Sequence, residues 1–133
     1  MRYAISYVST AHIDLQEQGV KDIMLTANEY NKGKEITGIL LYNERNFFQL
    51  IEGEKEIIHN LYEKIKKDSR HQDIIKFLEK PVYRNAYDGY LTDFITDSNK
   101  FDQSQLKDYL HYIEVLDPES QKSIKRVIEV MMV

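Results

Sequence analysis

The stretch Ile36-Thr37-Gly38-Ile39-Leu40-Leu41-Tyr42-Asn43-Glu44-Arg45-Asn46-Phe47-Phe48-Gln49-Leu50-Ile51-Glu52-Gly53-Glu54 decides how this chain is read. Residues 39–42 form one continuous apolar run and residues 46–52 a second. The short polar Asn43-Glu44-Arg45-Asn46 between them has the length of a hairpin connection. Strands apolar on both sides are covered on both faces. Gln49 breaks the pattern. Alternation places it on the same face as Phe47 and Ile51, where a carboxamide left unpaired costs about 1–3 kcal/mol. Two readings stand: a neighbouring backbone group satisfies it, or it points at a polar ligand lying on that face.

Upstream, residues 3–8 alternate as a first strand, with Tyr3, Ile5 and Tyr7 on one face. Asp14-Leu15-Gln16-Glu17 has capping-box spacing, predicting a helix capped by Asp14. That helix carries Val20, Ile23, Met24, Ala27 and Asn31 along one face, with Gly33 as its stop. Downstream, residues 54–69 repeat Ile57, Ile58, Leu61, Tyr62 and Ile65 as a second amphipathic helix. The helix runs into Asp68-Ser69-Arg70-His71. Residues 74–78 read as a fourth strand closed by Pro81, residues 84–89 as turn-like, and residues 90–95 as a last strand. Two helices finish the chain: one over residues 104–116, and one opened by Asp117-Pro118 that carries Ile124, Val127, Ile128 and Met131.

The order is β-α-β-β-α-β with an added strand, a ferredoxin-like α+β arrangement. It predicts a mixed sheet with two helices on one face and the C-terminal helical pair covering the other. Residues 97–133 then form a helical extension packed on the sheet.

With 133 residues, 42% hydrophobic and 30% charged, the chain has the profile of one soluble globular domain. Zero cysteines exclude a disulfide scaffold, a thiolate metal site and cysteine catalysis. No charged-then-apolar leader and no apolar run of about 18 residues is found, so a cytoplasmic location and no membrane association are expected. A net charge of −4 without a dense basic stretch speaks against nucleic acid as a partner. Five unclustered glycines exclude a P-loop or dinucleotide fingerprint. No carboxylate pair or nucleophile–base pair suits an enzyme. His12, His59 and His111 lie on three separate elements without ligand spacing, so no metal site is expected.

In this fold the first and third strands are neighbours, which brings Tyr7 beside Gln49 on the helix-facing side. Asn31 enters from the end of the first helix, Arg70 and His71 lie just past the second, and Ile23, Phe47 and Ile65 supply apolar walls. The set suits a planar, heteroatom-bearing ligand held between the helices, with a negatively charged tail near Arg70 and His71. Taken singly, each has a plainer reading: Tyr7 as a half-buried tyrosine, Asn31 as a helix cap, Arg70-His71 as an exposed turn.

Tyr7-Val8-Ser9, Asn31 ahead of Ile36-Thr37-Gly38-Ile39-Leu40, Phe47-Phe48-Gln49-Leu50-Ile51-Glu52-Gly53-Glu54 and Asp68-Ser69-Arg70-His71 together resemble the BLUF domain, the sensor of blue light using FAD. The resemblance covers residues 1–96. It implies FAD bound non-covalently between the two helices, with Tyr7 as electron and proton donor. Gln49 bridges Tyr7 and the flavin and rearranges its hydrogen bonds in light. Asn31 binds the polar ring edge, and Arg70 and His71 lie near the tail or ring edge. Ser9, Asp68 and Tyr30, with Ile23, Phe47 and Ile65, complete the implied cofactor-binding set.

The resemblance also implies a photosensory module and not an enzyme, signalling to a separate downstream protein and forming a homo-oligomer. The family usually carries a Trp and a Met in the last strand; here the stretch is Gly89-Tyr90-Leu91-Thr92-Asp93-Phe94, with neither. Tyr30 stands where relatives often have a polar residue or His. Tyr87 and Tyr90 are candidates for unproductive electron donation. The competing expectation is a ferredoxin-like small-ligand protein or enzyme that has lost flavin photochemistry. RNA binding through sheet aromatics is disfavoured by the acidic balance.

Overall fold

The hairpin forms where the sequence places it, as β2 (Thr37–Asn43) and β3 (Asn46–Glu54). Asn43 pairs with Asn46, leaving a two-residue turn in which Glu44 and Arg45 both have positive φ, 45° and 73°. Such mirror-image turns match the twist of the flanking strands. Neither residue is glycine, and outside contacts hold the turn. The Arg45 carbonyl accepts from the Ala11 N–H at 2.8 Å, and the Arg45 guanidinium donates to the carbonyls of His12 and Leu15.

This structure is a computed structural model describing residues 1–83, 89–96, 100 and 102–133. Its remaining elements are β1 (Arg2–Ala11), α1 (Glu17–Gly33), α2 (Lys55–Lys67), β4 (His71–Val82), β5 (Tyr90–Phe94), α3 (Gln103–His111) and α4 (Pro118–Met131). The sheet order is β4-β1-β3-β2-β5, antiparallel except for the parallel β2–β5 pair. This is the expected mixed ferredoxin-like sheet, with β1 and β3 adjacent. The turn-like stretch from Arg84, including Tyr87, falls at 84–88, outside the described residues.

Several local expectations need correcting. Asp14 is not the cap of α1: the N-cap is Gln16, which makes no side-chain capping bond. The Asp14 N–H instead donates to His12 Nδ1 at 3.1 Å, within the loop that Arg45 ties down. Gly33 is the last residue of α1 and not the residue beyond it; the positive-φ position is Glu35, at 55°. Pro81 does not close β4 but lies within it, paired with Tyr3. Proline is tolerated there because β4 is an edge strand and needs no donor on its outer side. The third helix ends at His111, short of Leu116.

Each face of the sheet carries its own core, and strand alternation sorts the residues. Ala4, Ile39, Leu41, Phe48 and Leu50 pack against Leu106, Tyr109, Ile113, Ile124 and Ile128 of the C-terminal segment. Ile5, Tyr7, Leu40, Phe47 and Ile51 pack against Val20 and Met24 of α1 and Ile58 and Tyr62 of α2. Gly38 is demanded by geometry: at φ 137° a Cβ would sit 1.9 Å from the Leu50 carbonyl oxygen. Glu52 is buried on the C-terminal-helix face, where Arg2 donates to it twice at 2.7 and 2.8 Å and Thr37 once at 2.7 Å. A buried carboxylate needs that saturation.

Capping fixes the C-terminal helices. Asp102 accepts from the N–H groups of Ser104 and Gln105, and Asp117 from that of Ser120. Lys80 of β4 donates to Asp117 at 2.7 Å, tying α4 to the sheet edge and holding that carboxyl well below its ordinary range, with Ser120 assisting.

Candidate functional site

A cavity of about 290 Å³ opens between α1 and α2 above the β1–β3 pair. Its floor is Tyr7, Leu40, Phe47 and Gln49. Ile23, Ala27, Tyr30 and Asn31 of α1 form one wall, and Leu61, Lys64 and Ile65 of α2 the other. Asp68, Arg70 and His71 stand at the rim, where α2 gives way to β4. The volume lies at the low end of the roughly 300–1,000 Å³ range of small-molecule pockets.

The register places Tyr7 directly opposite Gln49. The Tyr7 hydroxyl donates to Gln49 Oε1 at 2.5 Å. At its other end, Gln49 Nε2 donates to the hydroxyl of Tyr90 on β5. Tyr7 lies between two irregularities in the β1–β4 ladder, after Ser6 and after Val8; shifts of this kind re-aim side chains. Burial pushes the Tyr7 phenol well above its usual pKa, with Tyr90, Tyr62 and Asp68 adding to the rise. Burial also raises Tyr90, offset in part by Gln49 and by the neighbouring Asn31 carboxamide. Both phenols are therefore neutral at ordinary pH.

Asn31 is the anomaly of the site. It is 1% exposed, lines the cavity, and neither carboxamide atom has a hydrogen-bond partner. It does not cap α1 through its side chain: its backbone carbonyl accepts from the N–H groups of Lys34 and Ile36, and the amide is left facing the cavity. An unmet buried donor and acceptor are costly, and a polar ligand edge in the cavity relieves that cost.

At the rim, Arg70 forks onto Asp68, Nε to Oδ1 at 2.9 Å and Nη2 to Oδ2 at 2.6 Å. That guanidinium holds the Asp68 carboxyl below its ordinary pKa. His71 is braced on both sides. Its Nε2 donates to the Ile65 carbonyl, an acceptor only, at 2.6 Å, while Nδ1 shares a 2.7 Å hydrogen bond with Ser9 Oγ. Lys64 holds its ammonium 5.3 Å from the centre of the Tyr30 ring, a cation–π pair across the cavity mouth.

Of the residues singled out from the sequence, Tyr7, Ile23, Tyr30, Asn31, Phe47, Gln49, Ile65, Asp68, Arg70 and His71 all line the cavity. Ser9 does not; its hydroxyl shares a hydrogen bond with His71, which does. Lys64 and the contact between Tyr90 and Gln49 were missed. Lys64 looks like one more charge on a solvated helix face. Tyr90 pairs with Gly38 of β2 and so lies on a strand two removed from β3, and sequence spacing does not announce its reach to Gln49.

The family model for sensors of blue-light using FAD matches residues 3–91. The chain belongs to this family, BLUF, whose members are flavin-based photosensory modules. It is 37% identical over 83 residues to the photoactivated adenylate cyclase subunit beta of Euglena longa, a match spanning 62% of this chain and 10% of that protein. It is 35% identical over 78 residues to the blue light- and temperature-regulated antirepressor BluF of Escherichia coli, over 59% of this chain and 19% of that protein. The chain thus spans a small part of these curated relatives. The dark-state structure of BlrB, a BLUF protein, superposes with a TM-score of 0.69 at 26% identity, covering 97% of this chain and 96% of that one. Among the described residues, no helix is long and apolar enough to cross a membrane.

Proposed function

We propose that this chain is a blue-light sensor that holds FAD between α1 and α2, with Tyr7 and Gln49 as its photochemical pair. The observation that carries the reading is the unpartnered Asn31 carboxamide beside the hydrogen-bonded Tyr7–Gln49 pair in one apolar-walled cavity. Asn31 would bind the polar edge of the ring, and Ile23, Phe47 and Ile65 its faces. Tyr30, Asp68, Arg70 and His71 would surround the tail or ring edge, with Ser9 bracing His71. Arg70 is already forked onto Asp68, so Lys64 joins it as a cation at the mouth for the tail's phosphates.

Bound there, FAD would supply blue-light absorption and an excited state able to take up one electron and one proton; Tyr7 would be the residue that gives both and later recovers them. While Tyr7 lacks its proton, Gln49 Oε1 has lost its donor. A carboxamide has a donor end and an acceptor end, so rotation or tautomerisation changes which partner it donates to. That makes a two-state switch with no backbone movement. Residues 1–96 act as the flavin-binding unit and residues 97–133 as the extension that closes the opposite face. The output passes to a separate protein or to a second copy of the chain. The Euglena and E. coli relatives, named for a light-activated cyclase and a light-regulated antirepressor, support an output of this kind.

Tyr7→Phe and Gln49→Leu test the pair. Both variants are expected to bind flavin and stay yellow, while the red shift under blue light, present in the unaltered protein, is lost. A normal red shift in Tyr7→Phe overturns the mechanism. Colourless protein that takes up no added flavin overturns the flavin reading itself.

A further inference from the structure

We infer that Tyr90 is a second anchor of the Gln49 switch, a phenol that holds the carboxamide in either of its two orientations and so sets how long the rotated state lasts. The inference rests on the photosensory reading above and assigns a positioning role to a residue outside the Tyr7–Gln49 pair.

Gln49, Tyr7 and Tyr90 are 3%, 4% and 6% exposed, so water does not complete their hydrogen bonding. The carboxamide is held at both ends by the same chemical group, Tyr7 at Oε1 and Tyr90 at Nε2. A phenol can donate or accept, whereas an indole N–H only donates. If the carboxamide turns over, Nε2 faces the Tyr7 oxygen and Oε1 faces Tyr90. The Tyr90 hydroxyl then rotates its proton from outward-pointing to inward-pointing and donates to Oε1. Both orientations keep two hydrogen bonds, and no heavy atom other than those of the amide has to move.

A residue at position 90 that only donates supports one orientation and penalises the other. With tyrosine both are supported, and the midpoint of the rotation, where the amide lies across the Tyr7–Tyr90 line, loses both bonds. Tyr90 therefore adds to the barrier separating the orientations more than to the difference between them.

The test uses the full chain loaded with FAD. Tyr90→Phe keeps the ring and deletes the hydroxyl. It should keep the size of the red shift yet return to the dark state about five- to tenfold faster, the barrier having lost one net hydrogen bond. A second readout needs no light: the Gln49 side-chain amide proton resonances, assigned by their loss in Gln49→Leu, should move in Tyr90→Phe in the dark. Tyr90→Leu, which also removes the ring, separates packing from hydrogen bonding; it should match Tyr90→Phe in recovery rate if the hydroxyl is what matters. Unaltered recovery together with an unmoved Gln49 amide in Tyr90→Phe overturns the inference. Recovery that changes only in Tyr90→Leu also overturns it, assigning the effect to packing. Absence of any red shift in the unaltered protein is a different result, and defeats the photosensory reading instead.

Discussion

The two faces of one sheet are built from alternate residues of the same strands, yet they do opposite things. Phe48 and its neighbours close completely against α3 and α4, with Phe48, Leu50, Tyr109, Ile124 and Ile128 at 0% exposure. One residue away, Phe47 and Gln49 face a cavity in which a carboxamide is left unpaired. The closed face meets its polar demands internally: Glu52 is saturated by Arg2 and Thr37, and Tyr109 donates to Asp93 at 2.7 Å. The open face leaves Asn31 unmet. An interior that satisfies itself serves stability, and one with groups left over is prepared for something from outside.

The largest expected effect comes from removing the closed face altogether. Ending the chain at Asn99 bares Leu41, Phe48 and Leu50, and the protein should aggregate or change its association state in size-exclusion chromatography. A truncated protein that stays soluble at the original size breaks the contrast.

Next comes a pair of neighbours. Phe48→Ala should lower stability by about 3–5 kcal/mol in urea unfolding, because a sealed core cannot fill the hole. Phe47→Ala enlarges a space that is already open, so in the flavin-free protein it should cost clearly less and weaken flavin retention instead. Equal losses in the two variants would show that both faces are packed alike.

Asn31→Ala sharpens the point at a single group. The carboxamide makes no bond in the protein alone, so its removal should leave flavin-free stability nearly unchanged. Flavin affinity should fall by about tenfold, the worth of one net hydrogen bond. Unchanged flavin occupancy with a lowered melting temperature would make Asn31 a structural residue.

The smallest effect appears at high pH. Tyr7 and Tyr90 on the open face, and Tyr109 on the closed one, are all raised above 10.0, chiefly by burial, with Asp93 adding to the rise of Tyr109. A raised value means the folded chain keeps a proton that the unfolded chain releases. The associated stability is whole below pH 10 and is lost as pH climbs from there towards the folded values. Each phenol steepens that decline by up to ~1.4 kcal/mol per pH unit. Tyr→Phe at any of the three should flatten the alkaline fall in stability, measured by unfolding between pH 9 and 11. A slope unaffected by all three would mean that other groups dominate it.

Much of this molecule is legible in the order of its residues, because the signals are local. Continuous apolar runs in the hairpin, helical spacing in α1, α2 and α4, and Asp117-Pro118 ahead of α4 each depend on contacts a few residues apart. Local signals also mislead where a distant partner intervenes. Asp14 has the spacing of a cap, but the loop is pinned by Arg45 from the hairpin turn and α1 begins later. Pro81 looks like a strand end and is not, because only sheet order reveals that β4 is an edge. The candidate site divides the same way. Tyr7, Gln49, Asn31 and the Arg70-His71 pair could be gathered from their sequence context, since adjacency of the first and third strands follows from the element order. The sequence by itself thus determined the elements, the two buried faces and most of the cavity's residues, all consequences of periodicity along the chain. Only the tertiary structure decided that Asn31 stays unpaired, that Ser9 bonds to His71, and that Tyr90 meets Gln49. Those facts depend on register and side-chain reach between elements far apart in the chain, and no spacing within it encodes them.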